Sequence, residues 1–180
     1  AAAVEIVAPE ALPQLRLLNA SPSRFLTGKV TAASRARREL VGLALIKLAT
    51  GDIDNAARLL ESKWGVQFPP EERDWLWAVI GRQAAQKMAP EAHGYFARVS
   101  REKHLNDGLL DWKVRAALRA PNGPDWRTVL GAVNAMSEEG QREPAWVYWK
   151  ARALLALSRD AKEADADDMR IKARAALVSI

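Results

Sequence analysis

The sequence predicts an all-α protein, a right-handed α-superhelix (α-solenoid) of stacked antiparallel helix hairpins with about 36–37 residues per repeat. The first observation is an internal repeat, because residues 112–116 (WKVRA) recur as residues 149–153 (WKARA) and Trp75 stands one further 37-residue interval upstream. The second is composition, since the 180 residues are 49% apolar and rich in alanine, with ten glycines and nine prolines. Such a mixture favours helix over strand.

Residues 1–30 are predicted to form an N-terminal arm or an incomplete repeat, because proline interrupts this segment repeatedly. Each proline removes a backbone donor and restricts the residue before it. The prolines are Pro9, Pro13 and Pro22. Between them, one apolar helical stripe is expected from Leu12, Leu15 and Leu18. The first five residues lack the basic and apolar segments of a signal peptide, so we expect a signal already removed or an excised piece of a longer chain.

Residues 31–180 are predicted to form the α-superhelical domain, with four helical hairpins beginning near residues 34, 70, 107 and 143. The first helix is expected from about Thr31 to Thr50, with Gly51 just past its end. Asp52 is placed to cap a second helix over residues 53–63. Two prolines followed by two glutamates, at residues 69–72, begin the second hairpin, where acidic side chains suit the positive end of the helix dipole.

The remaining hairpins follow from turn and capping residues. The partner helix of the second hairpin is expected to begin at residues 90–91 and to run to about Val99. The third hairpin combines a helix over residues 109–120, a Pro-Asn-Gly-Pro turn and a second helix that begins at Asp125 or Pro124. The fourth begins at residues 143–144, with a charged loop over residues 158–168 and a last helix over residues 169–180.

The seven tryptophans allow two interpretations, ligand stacking and packing. Aromatic side chains can serve as platforms for bases and sugars. However, Trp75, Trp112 and Trp149 recur at the repeat spacing among alanines, as expected where large rings interlock stacked helices. Packing is therefore the predicted role of these three rings.

Several kinds of catalytic site are excluded or disfavoured. The sequence has no cysteine, and its two histidines, His93 and His104, have no metal-ligand partner at the usual spacing, so neither a metal nor a cofactor is predicted. Neither histidine lies in a recognisable nucleophile motif, and no glycine-rich phosphate loop is present. The clustered carboxylates are expected to be solvated in turns rather than held in an apolar cleft. They are Glu138, Glu139, Asp165, Asp167 and Asp168. No catalytic residue is predicted.

Basic residues are the candidate ligand contacts, since the formal net charge is +5 and several cations recur with the repeat. In a solenoid, equivalent positions line up along one face, where a row of cations could contact a glycan strand or a polyanion. The alternative is that long basic side chains cover apolar flanks while their charged ends stay in water. The candidates are Arg82, Lys113, Arg115, Arg119, Lys150 and Arg152.

Three segments together resemble a known family. They are residues 77–85 with 90–98, residues 110–120 followed by 125–130, and residues 142–154, which begin Arg-Glu-Pro-Ala-Trp. In this order and spacing they resemble the superhelical domain of the soluble lytic murein transglycosylases of Gram-negative bacteria, over about residues 34–180.

The resemblance implies a scaffold rather than an active site. Enzymes of this family are periplasmic and cleave the β-1,4 bond between N-acetylmuramic acid and N-acetylglucosamine in peptidoglycan, leaving a 1,6-anhydromuramoyl product without metal or cofactor. Their catalytic glutamate precedes a serine in a separate C-terminal lysozyme-like domain, with a Gly-Leu-Met-Gln segment downstream. This chain lacks that domain and that segment, and Glu61-Ser62 is a chance dipeptide on a repeat helix. The implied partners are glycan strands and the catalytic domain of the same polypeptide.

Two further functions stay open. One is a freestanding tetratricopeptide-like adaptor that binds a protein or peptide, since Ala92 and Phe96 fit the second helix of that repeat. The longer period and the missing Leu-Gly pair after tryptophan argue against it, because that repeat has about 34 residues. The other is a nucleic-acid-binding solenoid, which rests on charge alone, so nucleic acid is not an expected partner. A transmembrane segment is not expected either, because no apolar run approaches the roughly 18 residues required.

Overall fold

The computed structural model describes residues 12–29 and 31–180, and these residues form eleven α-helices without a β-strand. The predicted all-α class is confirmed. Predictions for residues 1–11, including the break at Pro9 and the signal-peptide argument, lie outside the described residues. The helices are α1 (Leu12–Ala20), α2 (Pro22–Thr27), α3 (Arg35–Gly51), α4 (Ile53–Leu59), α5 (Pro70–Gln86), α6 (Ala92–Phe96), α7 (Asp107–Leu118), α8 (Trp126–Ala135), α9 (Glu138–Arg142), α10 (Pro144–Leu157) and α11 (Glu163–Val178).

The first helices of the four predicted hairpins begin within one residue of the expected hairpin starts, but α3 begins four residues after the expected Thr31 and α7 two residues before the expected residue 109. The four helices are α3, α5, α7 and α10, and the last three begin 37 residues apart, at residues 70, 107 and 144. Local chemistry sets these starts. Ser34 caps α3 by accepting a hydrogen bond from the Arg37 N–H (3.3 Å), Asn106 caps α7, and proline occupies the first turn of α5 and α10.

The second helices differ more from expectation. α4 ends at Leu59 and continues as a π-helical turn (Leu60–Trp64) and a short 3₁₀ turn (Gly65–Gln67). Only glycine fits at residue 65, because a Cβ there would lie 2.7 Å from the Leu60 carbonyl oxygen. α6 is only five residues long and ends at Phe96, whose side chain is fully buried. The predicted cap of α4 by Asp52 is confirmed, and Asp125, one of the two residues expected to begin the second helix of the third hairpin, caps α8.

The predicted loop over residues 158–168 is wrong in its second half, because α11 already begins at Glu163 and includes the three aspartates assigned to that loop. Acidic side chains in the first turn of a helix complement the positive end of its dipole. The charges therefore mark the exposed start of a helix. Glu138 and Glu139 likewise lie in the first turn of α9 rather than in an irregular turn.

Helices that follow one another along the chain pack against one another. α3 contacts α5, α5 contacts α7, and each of the three also contacts its own partner helix. The short α1 and α2 pack against α3, where Leu18, Phe25 and Leu26 are buried. One continuous core extends from Leu18 to Ala153, and a smaller cluster of Ala151, Leu154 and Ala173 joins α10 to α11.

Within the described part of the chain, the helices are too short or too polar to cross a membrane.

Candidate functional site

The main candidate site is an open groove of about 750 Å³ between α3 and the start of α5, here called the Trp75 groove. Leu43, Ile46 and Trp75 supply apolar walls, and Gly42 leaves room beside Leu76. Leu43 is 51% exposed, so the groove opens to solvent. Its full lining comprises Arg35, Arg38, Glu39, Gly42, Leu43, Ile46, Phe68, Glu71, Glu72, Trp75 and Leu76.

The rim of the Trp75 groove carries charged side chains that are largely paired. The Arg38 Nε donates to Glu72 Oε2 at 3.0 Å across the groove, and the Arg35 Nε donates to Glu39 Oε1 at 3.0 Å along α3. Two guanidinium groups and three carboxylates line the groove, giving a net charge of −1. Glu71 is the third carboxylate, and its side chain is largely exposed.

Trp75 is the exception among the three repeat tryptophans. Trp112 and Trp149 are half-buried against the core, as the packing prediction requires, whereas Trp75 is 41% exposed. Trp75 is therefore less completely packed than its two repeat equivalents, although more than half of its surface is covered. The reason lies in α5 itself, where Trp77 takes the buried position two residues later and Trp75 points toward α3 at the groove.

Beneath this end of α5 lies a buried carboxylate, Asp74, that ties α5 to the segment before α7. Its oxygens accept hydrogen bonds from the Ser100 N–H (2.9 Å), the Ser100 hydroxyl (2.7 Å) and the Arg101 N–H (3.1 Å). The His104 Nδ1 lies 2.7 Å from Asp74 Oδ2. Burial by itself raises the pKa of Asp74, but the hydrogen bonds from Ser100, His104 and Arg101 outweigh it and hold the pKa below its ordinary value.

The ionised Asp74 fixes the orientation of His104. Since a carboxylate only accepts hydrogen bonds, Nδ1 of the imidazole carries the proton and Nε2 faces the Glu71 carboxylate at 4.0 Å. Glu71 also lines the Trp75 groove, so the buried cluster lies next to one side of that groove. The arrangement anchors backbone and orients a side chain. The sequence held no signal for it, because Asp74 and His104 are 30 residues apart.

The second histidine is also held by an aspartate. His93 Nε2 lies 3.3 Å from Asp125 Oδ2, and the same carboxylate caps α8 by accepting hydrogen bonds from the N–H and hydroxyl of Thr128. Burial raises the pKa of Asp125, whereas the bonds from Thr128 and the nearby His93 lower it, with a net decrease. This contact joins α6 to the start of α8 and is structural.

The six basic candidates occupy different environments. Lys113 is only 4% exposed, and its ammonium donates to Glu102 at 2.9 Å, so its charge is neutralised inside the fold. Arg115 and Arg152 are exposed. Arg115 pairs with Asp111 and lies 5.3 Å from the centre of the Trp112 ring, and Arg152 lies 5.9 Å from that of Tyr148. Such positions agree with guanidinium groups that cover aromatic faces.

The other three candidates also differ from one another in their surroundings. Arg119 donates to the Ala85 carbonyl at 3.2 Å, and Arg82 is half-buried with its Nε lacking a hydrogen-bond partner. Lys150 lines a second groove, of about 860 Å³, between α10 and α11. None of the six lines the Trp75 groove. The prediction that they contact a ligand remains a prediction.

The remaining question is whether residues 12–29 and 31–180 contain a metal site or engage the Glu-Ser dipeptide. The described side chains include no cluster of three or more histidines and carboxylates that could hold a metal ion. Glu61 pairs at the surface with Arg98, 37 residues along the chain, and the Ser62 hydroxyl donates to the Arg58 carbonyl at 2.7 Å, so both residues of the Glu-Ser dipeptide are engaged in other contacts.

Comparison with known proteins adds no identification, because no family model and no curated protein matches this chain.

Proposed function

We propose that the chain is the superhelical, non-catalytic scaffold of a soluble lytic murein transglycosylase that acts in the periplasm. In this proposal it supports peptidoglycan cleavage by a catalytic domain of the same polypeptide and contacts glycan strands. The observation that carries the proposal is the 37-residue spacing between the starts of α5, α7 and α10, the three helices that bear the family-like segments.

Repeated contacts support the finer part of this proposal, a right-handed α-superhelix of helix hairpins. Ser100 and Ser137, which are 37 residues apart, each place their N–H and hydroxyl on the carboxylate of a first helix. The carboxylates, Asp74 in α5 and Asp107 in α7, are 33 residues apart, so the two contacts are similar but do not lie at equivalent repeat positions. Contacts from α3 to α5 and from α5 to α7 are typical of stacked repeats.

A sedimentation assay with purified peptidoglycan sacculi tests the proposal. The chain is incubated with sacculi, the pellet is assayed for bound protein, and the supernatant is assayed for soluble muropeptides by chromatography. We expect the chain to sediment with the sacculi and to release no 1,6-anhydromuropeptides. Because a scaffold has no acid–base glutamate, activity belongs to the other domain.

Two outcomes would contradict the proposal. Release of anhydromuropeptides by the isolated chain would place catalysis within these 180 residues. If the chain does not sediment with sacculi at low ionic strength, the proposed glycan contact is contradicted and the alternative function, a peptide-binding adaptor, is favoured. Bovine serum albumin in the same assay controls for trapping in the pellet.

A further inference from the structure

The Trp75 groove leaves a large aromatic surface uncovered at a position where the repeat elsewhere covers it. The rings at the equivalent positions, Trp112 and Trp149, are half-buried against the core, whereas Trp75 is 41% exposed beside the exposed Leu43. A ligand that covers exposed apolar surface of this kind removes it from water, and this burial favours binding. The groove volume of about 750 Å³ lies in the range of small-molecule sites.

The charges of the rim indicate what kind of ligand fits. Arg38 and Glu72 form one pair and Arg35 and Glu39 another, so the rim offers both hydrogen-bond donors and acceptors with little net charge. With Glu71 added, the lining carries a net charge of −1, which disfavours an anionic polymer. The groove therefore suits a neutral ligand that combines a flat apolar face with hydrogen-bonding groups around its edge.

A pyranose ring has this combination, with C–H groups on its face and hydroxyl groups at its edge. We propose that the Trp75 groove binds a segment of neutral glycan, with one sugar ring against the Trp75 indole. Hydroxyl groups of the sugar donate to the carboxylates of Glu71 and Glu72 and accept from the guanidinium of Arg38. This inference rests on the proposed function and assigns the glycan contact to residues other than the six repeated cations.

Titration of the full chain with a neutral β-1,4-linked N-acetylglucosamine tetramer tests the inference. The seven tryptophans give separate indole N–H signals in ¹H–¹⁵N NMR spectra, and the Trp75 signal is assigned by its loss in Trp75→Phe. We expect the Trp75 signal to move on titration. We also expect the dissociation constant to change little between low and high salt, because a neutral ligand releases no counterions.

Variants test whether the tetramer binds at the Trp75 groove or elsewhere on the surface. Trp75→Ala is expected to weaken tetramer binding by about tenfold or more, since a central aromatic contact is lost. Glu72→Gln is expected to weaken it by a smaller factor, because the Arg38 partner is lost. Tyr148→Ala is the matched control, because Tyr148 is 38% exposed on α10 outside the groove, and binding should be unchanged. Thermal unfolding confirms that each variant is folded.

The outcomes distinguish this inference from the proposed function. A Trp75 signal that stays unmoved at saturating tetramer, or Trp75→Ala binding as tightly as the original chain, would overturn the inference. A signal that moves with an apolar peptide but not with the tetramer would overturn it in favour of peptide binding. If the original chain still sediments with sacculi in either case, the scaffold function stands and its glycan contact lies elsewhere.

Discussion

At the scale of single residues, Asp74 is a buried carboxylate that holds several hydrogen-bond donors from the segment before α7. It is completely buried, and its carboxylate accepts bonds from two backbone N–H groups, one hydroxyl and one imidazole. A buried charge is tolerated only when it is satisfied in this way. Its position also orients His104, whose Nε2 lies 4.0 Å from the Glu71 carboxylate at one side of the Trp75 groove.

Asp74→Asn is expected to destabilise the protein by about 2–3 kcal/mol, the range for lost hydrogen bonds to a charged group. The amide NH₂ would meet the N–H donors of Ser100 or Arg101, so at least one bond is replaced by a repulsive contact. Urea unfolding at neutral pH measures the loss. The exposed Asp160 provides the control, and a loss below about 0.5 kcal/mol at Asp74 would contradict the anchoring role.

The same carboxylate makes stability depend on pH in one direction. Its pKa is lower in the folded protein than in the unfolded chain, so the stabilisation is fully present above about pH 3.9 and is lost as pH falls through the folded-state pKa. Asp74→Asn should flatten this part of the stability curve. Equal acid dependence in the variant and the original chain would assign the effect to other carboxylates.

At the scale of elements, the contact between α5 and α6 depends on a missing side chain. A Cβ at Gly81 would lie 2.8 Å from Cδ2 and 3.0 Å from Cε2 of Phe96, whose ring is fully buried. The glycine allows the two helices to approach closely, at the cost of a lower helix propensity. The short α6 is held by this contact and by Ala92, which is buried as well.

Gly81→Ala is expected to destabilise the protein by about 1–3 kcal/mol, because overpacking forces the ring or the helix to shift. Gly131→Ala is the matched control, since a Cβ at that exposed position of α8 meets nothing within 4 Å. The control substitution should stabilise the protein by about 0.5–1 kcal/mol, because alanine has a higher helix propensity than glycine. Two variants with the same sign in urea unfolding would refute the packing argument.

At the scale of the whole molecule, the core is continuous through α10 but not into α11. The last helix buries only Ala166 and Ala173, and its contact with α10 forms the small separate cluster. It exposes Ile171, Leu177 and Val178. An element with few buried apolar contacts opens more easily than the main core.

Hydrogen exchange should therefore be faster in α11 than in α5. Mass spectrometry of peptides from residues 163–178 and 70–86 measures both in one experiment, with α5 as the internal reference. Equal protection of the two helices would indicate that α11 unfolds only with the whole molecule.

The amino-acid sequence by itself determined the helical class and the starts of the first helices, because these depend on local signals. Capping residues such as Asp52 and Asp125, first-turn prolines and the 37-residue tryptophan spacing act over a few residues or recur at a fixed interval. Helix propensity and amphipathic period gave the rest of the pattern. The expected helices that match least well, α6 and α11, are those where such signals are weak or ambiguous.

Tertiary structure alone decided which repeated residues are buried and which are free. The repeat makes Trp75, Trp112 and Trp149 equivalent positions. Neighbouring helices nevertheless cover Trp112 and Trp149 more than Trp75, and they bury Lys113 but only partly cover its equivalent Lys150. The contacts of Asp74 with Ser100 and His104 also join residues 26 and 30 positions apart. Burial and long-range hydrogen bonding depend on which helices meet in space, and no local pattern in the sequence contains that information.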